Sequence, residues 1–395
     1  MFLLLSSFVF ALKPIVFVPG TFASKLEGTV SNRKTHWYCP KIKSKDTMWV
    51  KDSMMIPPLI DCVVDWLTLR YDPITSQIRN QDGVDVDIVD FSGFGGIEYL
   101  DDSFLGIHML PNYSKYVKYL IKKGYEIKKN LFGCPFDWRR GLAHTTEYWN
   151  NVRALIEKAY SINGNQKVVI SGHSLGGYFV QHFLTEKTTA EWRAKYIDSA
   201  ILIAPSFGGS GMAVAALWEG KIPFLEFFGN ERDFAAFTAS LGCLHIHLLN
   251  NEVFGDKIIS YDPNGIPLMA KDLPEIYLKY GKLSGEYAKL FEFNSNYSIK
   301  APKPVDVPTA IIYNDALSCV MGIDMKTNKK IWGKGDHIIN AEGYQYACKN
   351  WNTGKKLFCH NINSTSLFLD HNNMVQNDQY VKFVWDLALS DEWKK

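Results

Sequence analysis

A serine set between two glycines, Gly172-His173-Ser174-Leu175-Gly176, is the group in this chain best placed by its neighbours to do chemistry. In a Gly-X-Ser-X-Gly elbow the serine occupies a sharp, strained strand-to-helix turn, and its hydroxyl projects above a sheet. A base within reach turns that hydroxyl into a nucleophile toward an ester carbonyl, through an acyl-serine intermediate. Its partners follow in the chain order serine, acid, histidine. The late histidines are His337, His360 and His371. His371, in Leu369-Asp370-His371-Asn372-Asn373-Met374, stands just before the last helical stretch and is chosen as the base over His360, which adjoins Cys359 in a polar loop. The acid stays open between Asp336, in the turn Gly335-Asp336-His337, and Asp315, directly after the run 310–314. Its work would be to hold the imidazole tautomer and stabilise the imidazolium. Oxyanion donors are expected from the backbone N–H of Leu175 and from that of Thr21, in the loop Pro19-Gly20-Thr21-Phe22. Losing one such donor typically costs about 3 kcal/mol of transition-state stabilisation. A tight structural turn whose serine only caps a helix is the competing reading.

These groups need a sheet beneath them. Residues 13–18 form a short apolar run closed by Pro19-Gly20, the pattern of a buried strand and a turn. The runs 168–171, 199–204 and 309–313 read the same way, and 125–131 as a further short strand. Helices are expected over 113–123, ended by Gly124, over 147–159, over 177–184 and over 378–389. Strands alternating with helices predict an α/β protein, a mostly parallel central sheet with helices on both faces. Strand 168–171 before Ser174 and a helix from Gly177 after it are the context the nucleophile requires, and the helix N-terminus favours negative charge there. Two stretches, about 36–66 and 208–250, break the alternation and are read as insertions on one sheet. With no repeat, low-complexity tract or long linker, residues 12–395 are read as one domain.

Composition narrows the partners. The chain has 395 residues, of which 24 Phe, 20 Tyr and 11 Trp make 14%, suited to a large core, an apolar ligand or both. Apolar residues at 47% and charged residues at 21% exclude disorder and collagen-like repetition. With 43 basic and 41 acidic side chains the net charge is +2, and no basic stripe is present to follow a nucleic acid. Residues 1–11, MFLLLSSFVFA, are too short to span a bilayer but fit the core of a cleaved export signal. Sequons at Asn112, Asn296 and Asn363 agree with export. Seven cysteines contain no Cys-X-X-Cys pair, so neither a zinc knuckle nor a thioredoxin-type site is expected, and some should pair in an exported protein; no metal or cofactor is expected.

Taken together these residues resemble the lecithin:cholesterol acyltransferase family, including its lysosomal phospholipase A branch. The likeness rests on Phe17-Val18-Pro19-Gly20, Asp61-Cys62-Val63-Val64-Asp65, Arg70-Tyr71-Asp72, Phe94-Gly95-Gly96 and Glu98-Tyr99-Leu100-Asp101. It continues through Pro135-Phe136-Asp137-Trp138-Arg139, the serine elbow, Ala204-Pro205-Ser206-Phe207-Gly208-Gly209, Gly335-Asp336 and His371 with Asn373-Met374. The resemblance implies an α/β-hydrolase fold and a triad of Ser174, Asp336 and His371, because the family's acid lies in a Gly-Asp turn. It implies a Cys39–Cys62 bridge enclosing an apolar loop that contacts lipid, here with Trp49, Met54, Met55, Ile56 and Leu59. It also implies a second disulfide near the acid, for which Cys319, Cys348 and Cys359 are candidates. Position 21 is Thr where the lysosomal branch carries Asp, so pH behaviour tied to that carboxylate does not carry over.

The function expected is cleavage of glycerophospholipid acyl esters through an acyl-enzyme. The fatty acid would go to water, or to a sterol or other lipid alcohol as acceptor. The partner is then a phospholipid membrane or lipoprotein surface, and the location secreted or in a lysosomal or vacuolar lumen. Met54 to Ile60 carries no charge, which suits contact with something apolar. Gly208-Gly-Ser-Gly211, leading to Trp218, Phe224, Phe227 and Phe228, reads as a hinge and lid over Ser174. Asp137-Trp138-Arg139-Arg140 reads as a capped turn with an internal ion pair, and His245-Ile-His247 as structural histidines on an extended segment. A general or neutral-lipid carboxylesterase, and a catalytically inert lipid-binding protein, are the rival functions.

Overall fold

The computed structural model describes residues 12–33, 36–103, 107–142, 145–222, 231–280, 282–352 and 354–394. The export signal expected at 1–11, and Phe224, Phe227 and Phe228 of the expected lid, lie outside the described residues. Apolar runs such as IVFV and VVISGH can leave neither face to water, and both are wholly buried as strands. The central sheet has six strands: Ile15–Val18 (β1), Leu131–Gly133 (β2), Val168–His173 (β3), Ile197–Ile203 (β4), Thr309–Tyr313 (β5) and Leu357–Asn361 (β6). Their order is β6-β5-β4-β3-β1-β2, and every neighbouring pair is parallel. This sheet with its covering helices is the α/β-hydrolase layout.

The strand order reverses between β1 and β3. From β1 the chain runs out to β2 and returns to β3 on the other side, and a ligand crevice opens at the carboxyl ends of such strands. The register pairs Val18 with Gly172, so both strands end level. The loops that follow them, one carrying Gly20 and Thr21 and the other Ser174, are thereby brought side by side. Behind the sheet Tyr116, on the helix Ser114–Lys122, meets Trp385 on the helix Asp378–Leu389 with ring centroids 4.5 Å apart. That contact anchors the terminal helix, and with it the short segment bearing His371.

Of the two stretches expected as insertions, about 36–66 contributes a strand to a sheet of its own, whereas the described part of 208–250 is helical, with Gly211–Glu219, Glu231–Ser240 and Gly242–Ile246. Ile42–Trp49 pairs antiparallel with Leu26–Val30, which pairs in turn with Val84–Ile88. A separate four-stranded sheet joins Pro267–Leu268, Ser260–Tyr261, Leu317–Asp324 and Lys329–Gly335. The hairpin of its last two strands delivers the Gly335-Asp336 turn. Lys329–Gly335 has three lysines among its seven residues and is mostly exposed or half-buried, so it offers no apolar run by which to find it. The strand expected over 125–131 begins only at Leu131, because residues 126–131 form a turn with Lys128 at φ 63° while Tyr125 is buried.

Two disulfides close local loops, Cys39–Cys62 and Cys348–Cys359, and Cys134, Cys243 and Cys319 are free and buried. No helix among the described residues is long and apolar enough to cross a membrane. Of the sequons, Asn296 and Asn363 are exposed, whereas the Asn112 amide donates to the carbonyls of Ala23 and Ile97.

Candidate active site

Ser174 sits at φ 59°, ψ −127°, a region that L-residues avoid, directly between β3 and the helix Leu175–Glu186. Such strain persists only where surrounding bonds over-determine it. Here the Ser174 amide donates to Ile203 O at 3.0 Å, and its carbonyl accepts from Gly177 N at 2.9 Å and Ser206 N at 3.1 Å. The elbow also presses against β1. A Cβ on Gly176 would stand 2.2 Å from Val18 O, so only glycine lets the helix start this close to the strand.

Asp336 and His371 meet. His371 Nδ1 donates to Asp336 Oδ2 at 2.7 Å, and the His371 amide donates to the Asp336 carbonyl at 2.9 Å. The same carboxylate accepts from Tyr344 OH at 2.6 Å, Ile339 N at 2.7 Å and Ile338 N at 3.1 Å, and is fully buried. With Nδ1 carrying the proton, His371 Nε2 presents a lone pair; it is buried and makes no hydrogen bond to protein. No hydrogen bond joins it to Ser174 Oγ in this state, although the His371 ring lies 4.8 Å from that of His173, the residue preceding the serine. Hydrogen bonds of this kind are often long before substrate arrives.

Asp315, the other acid weighed, instead accepts from Gln345 and Asn361 side chains at 3.1 and 2.7 Å. His360 lies on β6 with its ring 4.5 Å from Phe383, and His337 is exposed. Gly20 approaches the nucleophile so closely that a Cβ there would be 2.9 Å from Ser174 Cβ. Next to it, Thr21 Oγ1 is buried without a partner. Among the described residues neither the Thr21 nor the Leu175 amide donates to a protein acceptor. Both are thus available to an oxyanion, and the Leu175 amide lies in the first turn of its helix, where such donors have no internal acceptor.

The lipid-contact set divides. Trp49 and Met54 are core residues, 5% and 6% exposed, which corrects their expected outward placement. Trp49 packs between Phe22 and Trp138 and donates from Nε1 to Phe22 O at 2.9 Å. Met55 and Leu59 are half-buried, and Ile56 is 58% exposed beside exposed Pro57 and Pro58. Trp37, 96% exposed two residues before Cys39, was not singled out in the sequence. Its signal was a large aromatic in a polar segment next to the bridge. Gly208 to Gly211 and the helix Gly211–Glu219 with Trp218 are buried, so this described part of the expected lid belongs to the core.

The remaining motifs are structural. Asp137 caps the turn by accepting from Arg139 N, and pairs with the fully buried Arg139 guanidinium at 2.8 Å. His245 lies on a short helix rather than an extended segment. Its Nε2 donates to Ala239 O, and His247 Nδ1 donates to Cys243 O. Among the described residues, the side chains of His36, Asp61 and Asp233 bring three ligand-type atoms within 4.8 Å of one another. His36 Nε2 and Asp233 Oδ2 are 2.9 Å apart there, joining the chain just before Cys39 to the helix Glu231–Ser240.

Comparison with known proteins finds relatives by sequence. The family model described as "Lecithin:cholesterol acyltransferase" matches residues 44–244. The "Lysosomal phospholipase A and acyltransferase" of Mus musculus is 30% identical over 86% of this chain and 82% of that protein. The protein of the same name from Bos taurus is 30% identical over 54% of this chain and 53% of its own length. The "Phosphatidylcholine-sterol acyltransferase" of Mus musculus is 29% identical over 54% and 49%. In the latter two the match thus spans about half the relative's length.

Proposed function

The chain belongs to the lecithin:cholesterol acyltransferase family, and from that premise we propose that it cleaves acyl esters of glycerophospholipids through an acyl-enzyme on Ser174. His371 Nε2 takes the serine proton as Oγ attacks the ester carbonyl, and Asp336 steadies the imidazolium. The amides of Thr21 and Leu175 receive the developing oxyanion. His371 then returns the proton to the departing lysophospholipid oxygen. Water completes a phospholipase A cycle; a sterol or other lipid alcohol completes an acyl transfer.

The observation that carries this reading is the His371 imidazole. One nitrogen is committed to a buried carboxylate, and the other is buried and unpaired, on a ring 4.8 Å from that of His173, which precedes the strained serine. A buried polar atom left without a partner is costly, of order 1–3 kcal/mol, and taking up the serine proton in the reaction would relieve that cost. The apolar surface of the disulfide-closed segment, Ile56 with Met55 and Leu59, and Trp37 beside it, would dock on a phospholipid membrane or lipoprotein surface. Two disulfides fit an oxidising compartment, a secreted location or a lysosomal or vacuolar lumen.

Mass spectrometry of products from phosphatidylcholine vesicles, with and without sterol, tests the proposal. Lysophospholipid with free fatty acid or acylated sterol is expected. Turnover of soluble short esters alone would leave a general carboxylesterase, and no product from either would leave a lipid-binding protein.

A further inference from the structure

Three hydrogen bonds run in series beside the candidate site and reach both of its ends. The Gly20 amide donates to the Tyr113 hydroxyl at 2.9 Å, Tyr113 OH and His173 Nδ1 are 2.9 Å apart, and His173 Nε2 is 2.9 Å from the carbonyl oxygen of His371. Proton counting fixes their direction. A carbonyl oxygen only accepts, so His173 Nε2 must carry hydrogen; a neutral ring then offers a bare Nδ1, which receives the Tyr113 proton. Burial, and then the neighbouring His371, push the protonation of His173 well below the usual histidine range, which keeps its ring neutral. Tyr113 is fully buried, wedged edge-on against Phe17 of β1 with ring centroids 4.7 Å apart. One end of the chain is the loop that carries Thr21. The other is the backbone of His371, whose own amide is already fixed by Asp336.

We infer that His173 and Tyr113 are positioning residues that hold the oxyanion loop and the base loop in register through this single chain of hydrogen bonds. The inference rests on the serine-hydrolase reading above and gives a role to the residue preceding the nucleophile. Without the His173 donor, the His371 carbonyl would be buried and unpaired, and the ring would be held by Asp336 alone. Without the Tyr113 hydroxyl, the Gly20 amide would lose its acceptor and His173 Nδ1 its donor.

Steady-state kinetics of the full-length protein on a soluble short-chain ester test this, with wild type and Ser174→Ala measured alongside. His173→Gln retains an N–H donor near the position of Nε2, while His173→Met fills the space without one. For His173→Met, kcat is expected to fall about 10- to 100-fold with KM changed less than about twofold, and His173→Gln to recover most of the loss. Tyr113→Phe removes one oxygen and keeps the ring contacts, and is expected to lower kcat about tenfold. It decides the question if His173→Met does not fold. An unchanged kcat in Tyr113→Phe, or equal kcat in His173→Gln and His173→Met, would overturn the inference while wild type stays active. A wild type no faster than Ser174→Ala would overturn the hydrolase reading itself, and the inference with it.

Discussion

Asp336 is held by four donors, and only one of them is the imidazole that it would orient. A carboxylate so fully engaged is held in place, which is what orienting an imidazole requires. Asp336→Asn offers His371 an amide that can donate to Nδ1 and so favour the wrong tautomer. We predict a fall in kcat of about 10³- to 10⁴-fold with a folded protein, measured on ester turnover and by circular dichroism. Asp315→Asn, whose partners are Gln345 and Asn361, should change kcat less than about twofold, as a surface-type polar substitution does. The reverse order of effects would move the acid to Asp315. At this scale the serine and the histidine were legible because a motif and a chain order name them. The choice between two turn aspartates was not legible from spacing, and only the family likeness favoured Asp336. Tyr113 and Tyr344 were invisible, because nothing near either in sequence marks a tyrosine that closes a hydrogen-bond chain across the fold.

The elbow is set by strands ending level, and the base by a hairpin and a short segment that must meet from opposite directions. The strands were legible where they are apolar on both faces, as in β1, β3, β4 and β5. Lys329–Gly335, the strand that leads into the acid, opens on two lysines and exposes Trp332, and could not be told from a loop. The disulfide-closed segment was read as a lipid-facing insertion because its apolar residues are consecutive. A consecutive run does not say which members fold inward, and Met54 does, as does Trp49 upstream of the run. The bridge Cys348–Cys359 ties the helix Ala341–Asn350, which supplies Tyr344, to the edge strand β6. Opening its 11-residue separation by Cys348→Ser with Cys359→Ser should lower unfolding free energy by about 3 kcal/mol on the chain-entropy model, measured by urea denaturation. Loss under about 0.5 kcal/mol would mean that the helix is held by packing alone.

Across the whole molecule the buried histidines make stability depend on pH in one direction. Burial pushes His182 down to about 4, His247 to about 4 and His245 to about 3. The unfolded chain takes up these protons near pH 6.5, and the folded chain resists them until pH nears 4. Stability from these groups is therefore complete above 6.5 and is lost progressively as pH falls from 6.5 toward 4. Calorimetry should give a Tm at pH 4.5 at least about 5 °C below that at pH 7. A higher Tm at pH 4.5 would contradict the buried, neutral state assigned to these rings.

The measurement that tests the central claim most directly is peptide-mapped mass spectrometry after brief exposure to a fluorophosphonate. The account predicts one adduct, on Ser174, formed by wild type and lost in His371→Ala. A wild-type protein left unmodified at Ser174, or one modified equally fast without His371, would contradict it.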